Sequence, residues 1–431
     1  MDLINGFSKL SKDEKIDFIQ KQFLTSEDKA LFHTFSKIEE SYEVLSELSE
    51  NTLCQFPVPY GVAPNFLINN KSYCVPMVIE ESSVIAAASR AAKFWAKRGG
   101  FKARVKSFVK TGDLHFSWKG DTEWIKGFIA KQKSVFFSQL APFENSMKKR
   151  GGGIIDISLN DFTDKLDHYY SLELKVNTCD AMGANFINTL LESLGVIFRQ
   201  ILPDDQKENL NIIMAILSNE GSDCIVEAEC RCPINELSFD SNTATRDFAE
   251  KFKWAIDIAN SNIKRAVTHN KGIMNGIDAV VLATGNDFRA IEAAAHAYAS
   301  RSGSYKSLSS VEFTENEFIF KLELPMSIGT IGGLTSLHPL ARASFELLNI
   351  KSAQELMMII ASVGLAQNFA AVSSLITTGI QKGHMKMHLL NIARQFDATP
   401  EQIDFLKDHF SDKVVSVSSV RGFLEQLNKT Q

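Results

Sequence analysis

The stretch HNKGIMNGIDAVVLATGNDFRAIEAAAHAY, residues 269–298, decides how the rest of this chain is organised. It begins with Lys271 beside Gly272, continues into the apolar run 277–283 and, after TGND, enters an alanine-rich segment. Alanine has the highest helix propensity and a small side chain, so this segment predicts a closely packed helix. Polar groups at the ends of such elements are typical of chemistry mounted on a rigid scaffold. The candidates are Lys271, Asn275, Asn286 and Asp287.

Two of these candidates also have plainer interpretations. Asp287 could cap the alanine-rich helix, because an N-cap aspartate accepts hydrogen bonds from free backbone N–H groups. Lys271 could lie on a solvated face, where most charged side chains lie. The stretch alone favours neither interpretation.

Length, composition and charge restrict the class of protein. The chain has 431 residues, 45% of them hydrophobic and 23% charged, which predicts a soluble globular protein of two or three domains. A net charge of -5 argues against a general nucleic-acid binder. We expect no membrane-spanning run and see no signal-peptide pattern, so a cytoplasmic protein without a membrane partner is predicted. Six scattered cysteines predict free thiols.

The middle of the chain has a different order of predicted strands and helices from its flanks. Strands are predicted at 103–109, 154–159, 169–176 and 210–217, and helices at 122–140 and 184–200. The order β-α-β-β-α-β is that of a ferredoxin-like unit, here inserted into a larger domain. The flanks predict, in chain order, a hairpin turning at Asn69-Asn70, a long helix at 244–267, a hairpin around Glu315-Asn316 and a helical unit after residue 377.

Two segments combine glycines with polar groups. DAMGAN, residues 180–185, opens a predicted helix whose free N–H groups and dipole would favour a phosphate, although Asp180 could simply cap that helix. SIGTIGGLT, residues 327–335, could let a backbone approach a ligand or another subunit, or could form a flexible turn. No GxGxxG follows a strand, so a Rossmann dinucleotide site is not predicted.

Acidic residues and histidines supply further candidates. Glu80 and Glu81 separate an apolar strand from an apolar helix, where they could be first-turn helix residues or include a semi-buried acid with a raised pKa. His384 precedes His388 by one helical turn, but position 385 is Met385 instead of the glutamate of HExxH, so no metal site is predicted. A histidine of this kind is often an ordinary surface or core group.

Together these segments resemble the hydroxymethylglutaryl-CoA (HMG-CoA) reductases, specifically the bacterial class II form. The resemblance covers nearly the whole chain, and the motifs occur in the family's order. The matching stretches are ENTLCQFPVPYGVAPNF, VPMVIEESSVIAAAS, DAMGANFINTLLE, NKGIMNGIDAVVLATGNDFRAIEAAAHAYASR, GTIGGLTSLHPLARA, KSAQELMMIIASVGLAQNFAA and GIQKGHMKMHLLNIA.

The resemblance implies an activity and a set of site residues. HMG-CoA would be reduced by four electrons to mevalonate and CoA with two nicotinamide cofactors, NADH or NADPH, or mevalonate would be oxidised in reverse. The implied catalytic residues are Glu81, Lys271, Asp287 and His384. The implied contacts to the HMG portion are Ser83, Arg265 and Asn275. The implied cofactor loop consists of Asp180, Ala181, Met182, Gly183, Ala184 and Asn185.

The resemblance also implies an α+β fold in three parts. Residues 1–102 and 218–376 would form a large mixed domain around a central helix, for HMG-CoA binding and dimerisation. Residues 103–217 would form an inserted ferredoxin-like domain for the nicotinamide cofactor. Residues 377–431 would form a mobile C-terminal helical flap carrying His384. A homodimer or higher homo-oligomer, with active sites at the interface, is expected.

Two alternatives remain at this stage. One is a non-catalytic CoA-binding paralogue, which need not keep all four catalytic residue types. The other is a CoA-dependent lyase or acyl-transfer enzyme that uses Glu81 and His384 as acid and base, which would leave DAMGAN without a use. The choice between NADH and NADPH is open, because acidic and basic groups both lie near the GGG turn at 151–153: Glu144, Lys148, Lys149, Arg150 and Asp156.

Overall fold

The computed structural model of this chain describes residues 6–23, 56–237, 245–377, 389, 392–410, 413 and 415–430. Two β-sheets lie in these ranges, and each has its own hydrophobic core. A third, smaller core is formed near the C-terminus by residues that include Leu389, Leu406 and Val420. The α+β class is confirmed.

The elements are numbered here in chain order. The strands are β1 (Tyr60–Ile68), β2 (Lys71–Val78), β3 (Phe101–Val105), β4 (Lys110–Trp118), β5 (Gly153–Asp161), β6 (Tyr169–Asn177), β7 (Leu210–Leu217), β8 (Ile225–Pro233), β9 (Ser309–Phe313) and β10 (Glu317–Pro325). The helices are α1 (Lys12–Phe23), α2 (Val84–Ala96), α3 (Thr122–Lys148), α4 (Ala184–Ile201), α5 (Thr245–Ser261), α6 (Ile263–Ala283), α7 (Phe288–Ala299), α8 (Leu334–Leu337), α9 (Pro339–Leu348), α10 (Ala353–Ile376), α11 (Pro400–His409) and α12 (Val417–Thr430).

The larger sheet has six strands in the order β2-β1-β3-β8-β10-β9. Both predicted hairpins lie in it. Asn69 and Asn70 have φ of 48° and 66°, the left-handed values that a two-residue hairpin turn of type I′ requires at both positions. At the other end, Phe313 pairs with Phe318 across the β9–β10 hairpin.

The smaller sheet has four antiparallel strands in the order β5-β6-β4-β7. With α3 and α4 it makes the predicted β-α-β-β-α-β unit. The core of this unit contains residues such as Phe116, Phe198 and Leu191, separate from the core under the larger sheet. The ferredoxin-like arrangement is therefore confirmed.

The first strand of that unit was placed wrongly by the sequence pattern. The predicted strand at 103–109 is in fact β3, which ends at Val105 and pairs with β8 of the larger sheet. The small sheet begins with β4, which pairs with β6 and β7 and buries alternate residues from Lys110 to Trp118 because one face of the sheet packs against α4. Both β3 and β4 have alternating sequences, and the sequence pattern alone does not show that residues 106–109 separate strands of two different sheets.

The predicted long helix at 244–267 is also wrong. The helix α5 ends at Ser261, and Asn262 adopts an extended backbone with φ −129° and ψ 110°. The Asn262 side chain accepts a hydrogen bond from the Arg265 backbone N–H at 3.2 Å, so it caps a new helix. As a result, Arg265 lies in the first turn of α6 and not in the last turn of α5.

The helix α10 is the central helix of the larger part of the fold. It is apolar on all sides and mostly buried, packed against the six-stranded sheet, α2 and α6. A side chain at Gly276 of α6 would meet Gln367 at 2.8 Å, and one at Gly364 of α10 would meet Ile277 at 2.8 Å. Glycine on both helices therefore allows them to approach closely.

The expectation that no apolar run reaches membrane-spanning length needs correction. Among the described residues, the helix Ala353–Ile376 is long and apolar enough by length and composition. However, 89% of that window is buried inside the fold, which is the property of a core helix.

Candidate active site

The candidate catalytic stretch forms two helices joined by a tight turn. The helix α6 runs from its cap at Asn262 to Ala283, and α7 begins at Phe288. Gly285, with φ 66°, reverses the chain between them. Asn286 then accepts a hydrogen bond from the Gly329 backbone N–H at 2.9 Å, which ties this turn to the glycine-rich segment 327–335.

Lys271 lies on the exposed side of α6, as its plainer interpretation predicted. Asn275 follows one helical turn later and is half-buried. Within the described residues, the Lys271 ammonium makes no ion pair or hydrogen bond. The cation is thus held on a rigid helix with its charge available to a ligand.

Asp287 is the N-cap of α7. Its carboxylate accepts hydrogen bonds from the backbone N–H groups of Arg289 and Ala290 and forms an ion pair with the Arg289 guanidinium at 3.0 Å. The Arg289 side chain is the main cause that lowers the pKa of Asp287, with the helix N–H groups assisting. The capping interpretation is confirmed, and Arg289 is the observed ionic partner of the proposed catalytic aspartate.

Glu81 and Ser83 lie in the short link between β2 and α2. Both are half-buried. Ser83 is the N-cap of α2 by position, but its hydroxyl makes no capping hydrogen bond. Because β2 and α2 both pack against α6, the fold brings this link to the helix that carries Lys271.

Arg265 points to another side of α6. It precedes Lys271 by six residues, which places the two side chains roughly 120° apart around a helix of 3.6 residues per turn. Burial lowers the pKa of the half-buried Arg265 guanidinium. A single face of α6 therefore does not carry all the predicted substrate contacts.

The predicted cofactor loop, residues 180–185, leads into α4. Its helix begins after Gly183, which has φ 92° and no side chain to occupy the free N–H groups. The first turn carries no acidic side chain, so these N–H groups and the helix dipole suit the pyrophosphate of a dinucleotide. The plainer interpretation, that Asp180 caps this helix, is wrong. The Asp180 carboxylate instead accepts a hydrogen bond from the Ala353 N–H of α10 at 2.7 Å.

The charged groups near the GGG turn fall into two sets. Both acids have partners, since Glu144 accepts the Ile154 N–H at 2.8 Å and Asp156 pairs with Lys133 at 2.5 Å. Lys149 and Arg150 are exposed. The exposed charges beside this turn are therefore basic.

The two histidines of the KGHMKMH segment cannot be placed in the described part of the chain. His384 and its neighbour His388 fall in the range 378–388, outside the residues that the structure describes. Among those that it describes, no group of three or more metal-ligating side chains lies together.

Sequence reasoning missed one buried and one half-buried polar side chain. Lys110 is only 5% exposed, and Asp278 of α6 has a buried carboxylate oxygen without a hydrogen-bond partner among the described residues. The alternation of KTGDLHFSW was a usable signal for Lys110, because it puts the lysine in phase with Leu114 and Phe116 on the buried face. For Asp278 there was a weaker signal, its position within the apolar run 277–283.

Comparison with known proteins gives concordant results. The family model described as hydroxymethylglutaryl-coenzyme A reductase matches residues 11–389. A 3-hydroxy-3-methylglutaryl-coenzyme A reductase of Archaeoglobus fulgidus is 35% identical over 403 residues, 93% of this chain and 89% of the relative. A probable enzyme of the same name from Borreliella burgdorferi is 32% identical, covering 95% of this chain and 90% of its own.

Solved structures agree. A 3-hydroxy-3-methylglutaryl-coenzyme A reductase of Streptococcus pneumoniae superimposes with a TM-score of 0.80 at 37% identity, covering 98% of this chain and 99% of that one. A class II structure from the same organism, bound to NADPH in open conformations, gives a TM-score of 0.79 at 39% identity, covering 86% and 99%.

Proposed function

Because this chain belongs to the HMG-CoA reductase family, in its class II form, we propose that Glu81, Lys271, Asp287 and His384 catalyse the family's reaction here. That reaction is the NAD(P)H-dependent reduction of HMG-CoA to mevalonate and CoA. The observation that supports the assignment is the exposed Lys271 on α6, a helix that packs against β2 and α2, the two elements that flank Glu81.

Lys271 would act on the thioester carbonyl. Reduction of this carbonyl places negative charge on its oxygen, and a fixed ammonium stabilises that charge more in the transition state than in the ground state. Asn275, one turn along α6, and Ser83, at the start of α2, would orient the HMG portion. Asp287 would adjust the field of Lys271 and Glu81, and its ion pair with Arg289 moderates that charge.

Two groups would supply protons. His384 would protonate the CoA sulfur as it leaves, because imidazole titrates near neutral pH. Glu81 would protonate the oxygen of the reduced aldehyde. His269, which lies near Lys271 in the sequence, does not fit the first role, since burial and then the charge of Arg265 lower its pKa to about 3.

Residues 180–185 and the first turn of α4 would hold the cofactor. The nicotinamide supplies hydride when it is bound, and the protein supplies position and field. The domain roles follow: the part built on the six-stranded sheet binds HMG-CoA, the ferredoxin-like part binds the cofactor, and the C-terminal unit carries His384.

We also propose a homodimer whose interface includes the junction of α5 and α6. Four apolar side chains are exposed there: Trp254, Ile258, Ile263 and Val267. Trp254 is 70% exposed, which is unusual for a tryptophan unless a partner covers it. Lys271 follows Val267 by about one helical turn on the exposed side of α6, so a second copy on this surface would lie next to the proposed active site.

A stoichiometric assay tests the reaction. Purified protein and HMG-CoA are followed at the reduced-nicotinamide absorbance, with NADH and NADPH in parallel, while released CoA is measured with a thiol reagent. We expect two cofactors oxidised per CoA released, and the faster of the two assays identifies the cofactor. Folded protein that binds HMG-CoA but oxidises neither cofactor would contradict the proposal and favour a CoA-binding paralogue.

Sedimentation velocity tests the dimer. We expect the wild-type chain to sediment as a dimer or larger and Trp254→Glu to shift towards the monomer with loss of turnover. A matched control is Phe405→Glu, on an exposed apolar side chain of α11 that is 55% exposed. A monomeric wild-type chain with full activity would refute the interface.

A further inference from the structure

Lys110 is a buried cation that the proposed chemistry does not use. Its ammonium donates hydrogen bonds to the Thr178 hydroxyl at 2.9 Å, the Ala181 carbonyl at 2.6 Å and the Ile328 carbonyl at 3.1 Å. Thr178 also donates to the Ala181 carbonyl, at 2.6 Å. Lys110 therefore joins the cofactor loop to the glycine-rich segment 327–335.

The backbones of these two segments are also in direct contact. Ala181 and Ile331 form a parallel β-bridge, and the Thr330 N–H donates to the Asp180 carbonyl at 2.8 Å. A side chain at Gly329 would lie 2.3 Å from the backbone nitrogen of Met182, so only glycine fits at this position. We call these contacts, together with the bonds of Lys110, the loop junction.

The loop junction extends to the catalytic stretch. Gly329, which touches the cofactor loop, donates its N–H to the Asn286 side chain. Asn286 directly precedes Asp287. One continuous series of contacts therefore runs from the loop proposed to hold the cofactor to the proposed catalytic aspartate.

Keeping an ammonium at this position is costly. Burial lowers the pKa of Lys110 to about 8, although the nearby Cys224, Asp180 and Cys179 oppose that shift. A buried charge is tolerated when its hydrogen bonds are satisfied, and a hydrophobic side chain of similar volume is often at least as stable. Stability alone therefore does not explain the lysine.

We propose that Lys110 is a positioning residue of this reductase, which fixes the cofactor loop against the glycine-rich segment so that α4 presents its N-terminus to the dinucleotide phosphates. The inference depends on the proposed role of residues 180–185. Lys110 itself does not touch the substrate or the reacting atoms. Its removal should weaken cofactor binding and leave HMG-CoA binding intact.

Two substitutions of different kinds test this role. Lys110→Met keeps the length of the side chain and removes the charge and the donors. Thr178→Val keeps the shape and removes the hydroxyl that bonds to both Lys110 and Ala181. We expect the dissociation constant of NADPH or NADH, measured by titration of nicotinamide fluorescence, to rise about tenfold in the first variant and less in the second.

The controls separate positioning from folding. Lys126→Met removes an exposed lysine of α3 in the same unit, and it should leave both dissociation constants within about twofold of wild type. The dissociation constant of HMG-CoA, from calorimetry, should also be unchanged in Lys110→Met. If Lys110→Met does not fold, the milder Thr178→Val decides the question.

The outcomes are distinct. Reduced thermal stability with unchanged cofactor affinity in the folded variants would show a merely structural lysine and overturn the inference. Equal loss of affinity for HMG-CoA and cofactor would overturn it as well. Failure of the wild-type chain to bind either nicotinamide would instead refute the proposed function.

Discussion

The proposed active site has two halves that are held in place differently. Lys271 and Asn275 project from α6, one continuous helix fixed by its packing against α10. The cofactor loop depends on bonds from three separate segments: β4 through Lys110, the glycine-rich segment 327–335, and the start of α10. On the helix, a side chain can change without moving its backbone. In the loop, residues that are distant in the sequence hold the backbone itself in position.

The largest effect should come from the helical half. Lys271→Ala should lower kcat by about 10²- to 10³-fold, because it removes the charge proposed to stabilise the oxyanion. The dissociation constant of the nicotinamide, which belongs to the other half, should stay near wild type. Lys264→Ala, on the same helix and also exposed, is the control and should retain activity. Comparable losses in both variants would mean that general charge on α6 matters and not Lys271.

The packing that holds the helix can be tested separately. Gly276→Ala places a carbon 2.8 Å from Gln367 on α10, and overpacking of this kind costs about 1–3 kcal/mol of unfolding free energy. Gly127→Ala is a matched control, because this helical glycine of α3 has open space around it and should gain about 0.5–1 kcal/mol. Chemical denaturation measures both. Equal behaviour of the two variants would show that α6 and α10 can separate without loss.

A half-buried acid on α6, Asp278, should make the helical half sensitive to pH. Burial, with the nearby charge of Glu292 on α7, raises the pKa of Asp278 to about 8. Since the folded pKa lies above the unfolded one, the stability from this group is complete only below the unfolded pKa of 3.8 and is lost as pH rises from there through about 8.

Asp278→Asn should remove this dependence. In wild type, the unfolding free energy from chemical denaturation should be about 1 kcal/mol lower at about pH 9 than at about pH 6, after allowance for partial solvent exposure. The variant should show a smaller fall. Parallel pH profiles in the two proteins would contradict the assignment.

The smallest effect is expected at the turn between α6 and α7. Arg289 is 75% exposed in its ion pair with Asp287, and an exposed pair of this kind contributes little to stability because water and salt screen it. Arg289→Gln should therefore barely change stability. It should raise the pKa of Asp287 and alter the acidic limb of the pH–rate profile. An unchanged profile with full activity would argue against Asp287 as a group whose charge tunes the site.

The sequence predicted elements well where a single local rule decides them. Asn69-Asn70 specified a turn through its left-handed φ preference, and Asp287 specified a cap through its carboxylate. The boundary between the two sheets was missed, because two alternating runs separated by residues 106–109 look alike until their pairing partners are known. The break at Asn262 was missed because the sequence does not show whether an asparagine between two helical patterns caps a second helix or lies within a single one.

The candidate site was predictable to a different degree in its two halves. The candidate side chains of α6 and of the β2–α2 link were predicted from motifs that contain the proposed catalytic residues themselves. The loop junction came from no motif, since Lys110 and Ile328 are 218 residues apart and the lysine bonds a backbone carbonyl. Every residue has a backbone carbonyl, so a sequence pattern cannot show which carbonyl accepts such a bond.

The central helix also links the motions of its two ends. With 24 residues, α10 is a rod about 36 Å long, and its first residue is bonded to the cofactor loop. Its flanks are packed into the core along most of this length, so neither end can travel without the other. Any displacement at the Ile376 end of the helix would therefore be transmitted to its contact with the cofactor loop at the other end.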